Sequence, residues 1–389
     1  METIYLDHAS ATPMDSRVME FAEPLLREGI GNPSSSHSAG SEAKGVVEKA
    51  RAELAELINA EEARSIIFTS GATEANNLAV KGTALRNISK GKKIACSAIE
   101  HISVLNPMKE LTKGGFELTT VPIDSDGLVS LTQLADAVDE ETTVTSIMYA
   151  NNEIGTIQPI GKVSEIVHQK GLFLHVDATA AGGHIPIDVQ RDGIDLLTLS
   201  SNDLYGPQGV GALYVKPGVR LQTVLPGGGQ ERGLRSGTEN LFGIAGIGRA
   251  ARIAGEELEE QSQRLTRMRD DLIDQILKID ETYLTGHPTQ RLPHHASFRF
   301  SGIEGESIVL NMDMGYNIQV ATGSACSSKT LEPSRILLAI GLKHEEVHGS
   351  MVITLGRSNK IEQVPIIVKA VRETVDKLRK LSPLFKKND

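Results

Sequence analysis

The sequence predicts an α/β protein: a mostly parallel sheet of the seven-stranded type between helices, with a smaller α+β region. Three observations carry this expectation. Short apolar runs alternate with amphipathic stretches of helical length over the first part of the chain, the pattern of a parallel sheet with helices on both faces. After about Ile244 the texture changes to long charged helices and a few strands. The 389 residues suffice for one large α/β domain and a smaller second one.

Taken in order, the strand-like runs are 65–69 (SIIFT), 93–96 (KIAC), 116–121 (FELTTV), 144–148 (VTSIM), 172–176 (LFLHV), 196–199 (LLTL) and 210–215 (VGALYV). Segments between several of them, such as 73–86, have helical spacing. In such sheets ligands sit beyond the carboxyl ends of the strands. Residues 256–279 read as a long charged helix with an apolar stripe at Leu258, Leu265, Met268, Leu272 and Ile276. A strand at 296–300, a helix at 306–311 and a final amphipathic helix at 366–381 follow. The expected division is a large domain over 15–255 and a small one from 1–14 plus 256–389, the latter carrying the cysteine loop 321–331.

Composition narrows the function classes. A formal net charge of -10, no tryptophan and no Lys/Arg block interleaved with aromatics argue against nucleic acid and against an anionic membrane surface. Only Cys96 and Cys326 occur, which excludes a disulfide framework and fits a reducing compartment. The opening METIYLDH lacks the apolar region of a signal peptide, and no apolar run approaches the roughly 18 residues of a membrane span. A cytoplasmic protein is expected.

Chemistry concentrates in a few segments. SGATEANN (70–77) follows a strand and opens a helix; small residues there admit an anion to backbone N–H groups and Thr73 adds a hydroxyl, although a plain helix N-cap reads the same way. Asp177 in LFLHVDA ends a buried strand, where a carboxylate needs a partner such as a protonated pyridine nitrogen; capping of a nearby loop is the alternative. Cys326 sits among Gly and Ser in ATGSACSS, a candidate nucleophile or metal ligand, whereas Cys96 in its apolar strand reads as core. GGGQERGLRSGTEN (227–240) is either a phosphate-covering lid or a flexible surface loop, and NNEIG (151–155) ends a strand with two amides suited to a ring oxygen.

Together these segments resemble the cysteine desulfurases of the NifS/IscS type, pyridoxal-phosphate (PLP) proteins of the class V aminotransferase group. The likeness runs from YLDHASATP (5–13) through GNPSS to LSPL (381–384), and SGATEANN, NNEIG, VDAT, GGGQERGLRSGTEN and GSACSS in this order are specific as a set. The resemblance implies a PLP-dependent transferase of fold-type I, a homodimer with its active sites at the subunit interface. It implies that His101 stacks on the PLP ring, Asp177 pairs with the ring nitrogen and Asn152 faces the ring hydroxyl. Ala72, Thr73 and Ser200 would hold the phosphate, joined by Thr238 of a second subunit. Cys326 would take sulfur from L-cysteine, leaving alanine, and pass it to an IscU-type scaffold for iron–sulfur cluster assembly.

Four positions depart from that pattern. Asn202 and Asp203 stand where the family has His and the Lys that holds PLP covalently, Ala180 replaces a Gln facing the ring oxygen, and Val352 replaces the Arg that clamps the substrate carboxylate. A carboxylate cannot condense with an aldehyde, so PLP is expected to bind noncovalently or weakly. Losing one positioned acid/base costs roughly 10²–10⁴ in rate, and losing the clamp about tenfold to a hundredfold more. Lys329, on the Cys326 loop, is a poor substitute for a lysine fixed at a strand end. Turnover is therefore expected to be weak or absent. The alternative is a non-catalytic scaffold partner whose Cys326 ligates a [2Fe-2S] cluster or carries sulfur from free sulfide.

Overall fold

A computed structural model describes residues 3–28, 31–323, 333–383 and 385. Cys326 and Lys329 lie outside the described residues.

The elements run β1 (Ile4–Tyr5), α1 (Ser16–Arg27), α2 (Ser38–Leu57), β2 (Ile66–Thr69), α3 (Ala72–Arg86), β3 (Lys93–Ser97), α4 (Ile102–Lys113) and β4 (Glu117–Val121). They continue with α5 (Leu131–Ala137), β5 (Thr142–Ser146), α6 (Ile160–Gln169), β6 (Leu174–Asp177), β7 (Leu196–Ser200), β8 (Gly211–Val215) and α7 (Leu241–Ile276). The remainder comprises β9 (Thr282–Leu284), β10 (His295–Phe300), α8 (Gly305–Tyr316), β11 (Ile318–Gln319), α9 (Arg335–Ala339), α10 (His344–Val347), β12 (Ser350–Thr354) and α11 (Val364–Leu381).

Seven strands form one sheet in the order β2-β8-β7-β6-β5-β3-β4. The contacts from β7 through β4 are parallel, while β8 runs antiparallel to both of its neighbours. Alternation along the strands divides their side chains between the two faces. Ile66, Phe68, Leu197, Leu199, Ala212 and Tyr214 join a core with α2, α6 and the first half of α7. On the other face, Ile67, Leu196, Leu213 and Val215 pack with α3, and Ile94, Cys96 and Val144 with α3 and α4. Burial drives the Cys96 thiol well above the usual range, consistent with an inert core residue.

A second core gathers Leu265, Met268, Leu272 and Ile276 of α7 with α8, α11 and an antiparallel sheet of order β12-β10-β9. The helix expected from 256 begins at Leu241, so the division expected between 255 and 256 falls inside α7. The early turns lack an amphipathic stripe because they are buried nearly all round: Gly243 to Ala254 is almost wholly core. Glycines permit this approach, since a Cβ on Gly248 would lie 2.5 Å from Ala50 Cα of α2.

Candidate active site

Three strand ends converge on one cavity of about 850 Å³, within the range of ligand-binding pockets. The first is the β2–α3 junction. Gly71 has φ +149° and caps α3 without a side-chain hydrogen bond, so no side chain satisfies the first-turn N–H groups that face Thr73. A neighbouring glycine keeps this opening tight: a Cβ on Gly211 of β8 would sit 2.7 Å from the Gly71 carbonyl carbon. Glu74 in the first turn does not occupy the opening. One of its oxygens accepts from the Ser70 N–H at 2.7 Å and the other from Arg235 Nε at 2.9 Å.

The second strand end is β6, which delivers Asp177. Its carboxylate accepts from Asn76 Nδ2 at 2.7 Å and from the Thr179 N–H and hydroxyl at 3.0 and 2.6 Å. Asn76 Nδ2 also donates to Ser103 Oγ at 2.8 Å, which leaves the Ser103 hydroxyl to donate to His101 Nδ1 at 2.7 Å. That nitrogen accepts the Ser103 N–H as well, at 3.1 Å, so this network assigns the proton of a neutral His101 to Nε2. His101 is thereby fixed as the N-cap of α4.

The third is β7, followed by a single 3₁₀ turn over Asn202–Leu204. Tyr205, with φ +61°, stops the turn. It is held there by Arg357, whose guanidinium lies 4.5 Å from its ring, and by the Asp15 N–H, which donates to its carbonyl at 2.9 Å. Asp203 is partly enclosed and opens into the cavity. Its carboxylate accepts from the Ser200 hydroxyl, and burial, reinforced by the Asp177 charge, pushes its pKa up to about 7.

The cavity is lined by Ala72, Thr73, His101, Asn152, Asp177, Ser200, Asn202 and Asp203, together with Ala180 and Val352. All four positions that depart from the family pattern thus face one space. Thr238 is exposed and does not line it. The loop around residue 231 is not simply a flexible surface segment. Glu231 is buried, meets both terminal nitrogens of Arg51 at 2.8 and 2.9 Å, and accepts the Phe68 N–H at 2.9 Å.

Sequence reasoning missed several groups in this wall. His184 and His294 stack with ring centroids 3.9 Å apart, and burial lowers His184 to about 4, so the pair is neutral. Glu100 and Glu153 are each pushed up to about 8 by burial. Glu153 accepts from the Ser334 hydroxyl, and Arg335 donates to the carbonyls of Ala98 and Glu100. The adjacent histidines in RLPHHASF, just before a strand, were the available signal. Among the described residues no cluster of three or more His, Cys, Asp or Glu could hold a metal ion, and no helix is long and apolar enough to cross a membrane.

Comparison with known proteins agrees with this geometry. The family model described as aminotransferase class-V matches residues 4–367. Cysteine desulfurase IscS 1 of Archaeoglobus fulgidus is 53% identical over 383 residues, covering 98% of this chain and 100% of that protein. Cysteine desulfurase IscS of Methanosarcina thermophila is 46% identical over 386 residues, with 99% and 95% covered. A solved NifS-like protein superposes with a TM-score of 0.91 at 36% identity, over 97% of this chain and 100% of that one. An uncapped helix terminus, a carboxylate at the end of β6 and an imidazole fixed beside it are what a PLP fold presents, and this chain belongs to the class V aminotransferase family, among the PLP-dependent cysteine desulfurases of the IscS/NifS type.

Proposed function

We propose that this protein acts in iron–sulfur cluster assembly, cradles PLP without a covalent bond, and turns over L-cysteine weakly or not at all. As far as L-cysteine is turned over, Cys326 takes its sulfur, leaving alanine, and passes that persulfide sulfur to an IscU-type scaffold; otherwise Cys326 serves the scaffold's cluster as a thiolate ligand. The observation that carries this reading is Asp203 at the end of β7, facing the cavity beside Asp177.

The residues present fit the noncovalent parts of the cofactor. The uncapped α3 terminus, Thr73 and Ser200 would hold its phosphate. Asp177, already oriented by Asn76 and Thr179, would pair with its ring nitrogen, and His101 would lie over the ring. Asn152 would face the ring hydroxyl, and Thr238 would reach the phosphate from the second subunit of a homodimer. When bound, PLP supplies an electron sink for bonds to the substrate's α-carbon. What the chain lacks is the amine that anchors the cofactor and then carries the proton: the Asp203 carboxyl titrates but cannot form an imine, and Asn202 and Ala180 do not titrate. Val352, within β12 and paired with Ser297 of β10, offers no charge to a substrate carboxylate.

The test is L-cysteine turnover by the dimeric protein with PLP supplied, measured as alanine and sulfide. Release near a typical enzymatic rate of about 10 s⁻¹ would overturn the reading. The expected result is release no faster than from the Cys326→Ala variant, while sulfide-fed cluster formation on a co-purified scaffold protein depends on Cys326.

A further inference from the structure

The cavity has an uneven charge distribution. Its α3 end offers unpaired N–H groups to an anion, whereas its floor carries Asp177 and Asp203. Asp177 is surrounded by neutral donors, and Asp203 likewise has neutral ones among the described residues, the Ser200 hydroxyl and its own backbone N–H. Lys109 and Arg335 are the Lys and Arg side chains lining the cavity among the described residues. The Arg335 guanidinium is engaged by two backbone carbonyls, and Lys109 is exposed at the rim. The imidazoles of His184 and His294 near Asp203 are neutral. Two carboxylates enclosed at one end of a cavity without a cation between them are costly. Among the described residues no cation stands between them; protonation of Asp203 relieves part of that cost, and a ligand that carries positive charge at both ends would relieve the rest.

We propose that the pocket is built for the amine form of the cofactor, pyridoxamine 5′-phosphate, whose primary ammonium pairs with the Asp203 carboxylate while its ring nitrogen faces Asp177. The inference rests on the reading of this cavity as a noncovalent cradle, and it names which form of the cofactor the cradle selects. The aldehyde form brings one cationic centre, at the ring nitrogen, and turns an acceptor oxygen toward any ionised Asp203. The amine form brings two and matches both carboxylates, with its phosphate at the α3 terminus. Position 203 then holds by an ion pair what a lysine would hold by a bond. An ammonium could also come from L-cysteine, but its own carboxylate would enter beside Asp177 and Asp203, and Val352 gives that carboxylate no cation.

The test is calorimetric titration of the cofactor-free full-length protein with pyridoxamine 5′-phosphate, PLP and pyridoxine 5′-phosphate. The last carries an uncharged hydroxymethyl group in place of the aminomethyl group. The amine form should bind about tenfold to a hundredfold more tightly than pyridoxine 5′-phosphate, the range expected of a hydrogen bond to a charged group, and Asp203→Asn should close that gap. Equal affinity of these two ligands in the unaltered protein overturns the proposal and needs no variant; a gap that survives Asp203→Asn overturns it as well. If L-cysteine binds the pyridoxine 5′-phosphate complex and Asp203→Asn abolishes that binding, the ammonium site belongs to the substrate and the proposal also falls. Failure of all three phosphates to bind refutes the cradle itself, an outcome distinct from binding without preference.

Discussion

Asp203 is held at about 7, against an ordinary carboxyl value of 3.8, first by burial and then by the Asp177 charge. The folded protein therefore binds this proton more tightly than the unfolded chain does. Between about 4 and 7 the unfolded chain gains by ionising while the folded one does not, so stability falls as pH rises through that window and stays reduced above it. A displacement of about three pH units corresponds to about 4 kcal/mol. Water in the cavity screens part of it, leaving an expected penalty of about 2–4 kcal/mol. Asp203→Asn keeps the shape and the Ser200 contact but removes the titration. In urea denaturation at a series of pH values, the variant and the unaltered protein should be about equally stable near pH 4 and should diverge by about 2–4 kcal/mol above pH 7, the variant being the more stable. Glu100 and Glu153, pushed up to about 8 by burial, impose the same slope on both proteins and cancel in the difference. Stability curves that run parallel across the whole range would refute the enclosure of the Asp203 carboxylate.

The other predictions concern the cofactor opening and the loop beside it. Asp203→Lys should gain covalently held PLP, visible as absorbance that survives gel filtration; unchanged spectra would show that the cavity does not present the aldehyde to residue 203. Gly211→Ala places a methyl group 2.7 Å from the Gly71 backbone and should weaken PLP binding at least tenfold in the same titration, whereas an unchanged affinity would remove the α3 terminus from the phosphate site. Glu231→Gln breaks a bidentate buried pair and leaves Arg51 with the exposed Glu48 as its remaining ionic partner, at a cost of about 2–4 kcal/mol in urea denaturation; a loss below about 1 kcal/mol would mean the pair is not closed in solution.

Most of the seven strands of the large sheet were legible because they are short runs buried on both faces and bounded by turn residues, whereas the half-exposed edge strand β4 was legible from its β-branched residues. Their order was not. Nothing local tells that β8 inserts antiparallel between β2 and β7, since pairing of β2 with β8 joins residues more than a hundred positions apart. The start of α7 was misplaced for a different reason. Leu241 to Gly255 holds Gly243, Gly246, Gly248 and Gly255, which read as a weak helix, yet close packing against α2 requires small residues there. The site segments were legible where chemistry is coded by contiguous residues, as in SGATEANN and the strand ending in Asp177. A contact such as Arg51 with Glu231 is made by the fold and leaves no trace in either segment alone.

The four departures share a physical character that explains how the cavity tolerates them together. Positions 180, 202, 203 and 352 come from three places, the turn after β6, the 3₁₀ turn after β7 and β12, and contribute side chains to the cavity wall. The opening at the α3 terminus, by contrast, is made by backbone: the positive φ of Gly71, the uncapped first turn of α3 and the close approach of Gly211. The turn that carries Asp203 is likewise set from outside, by Tyr205 locked between Arg357 and Asp15, and does not depend on which side chain stands at 203. Exchange of an amine for a carboxylate there changes the charge of the pocket without changing its shape. A cradle built of backbone keeps its ligand class while the side chains decide what is done to that ligand, and in this protein those side chains favour holding a charge over forming a bond.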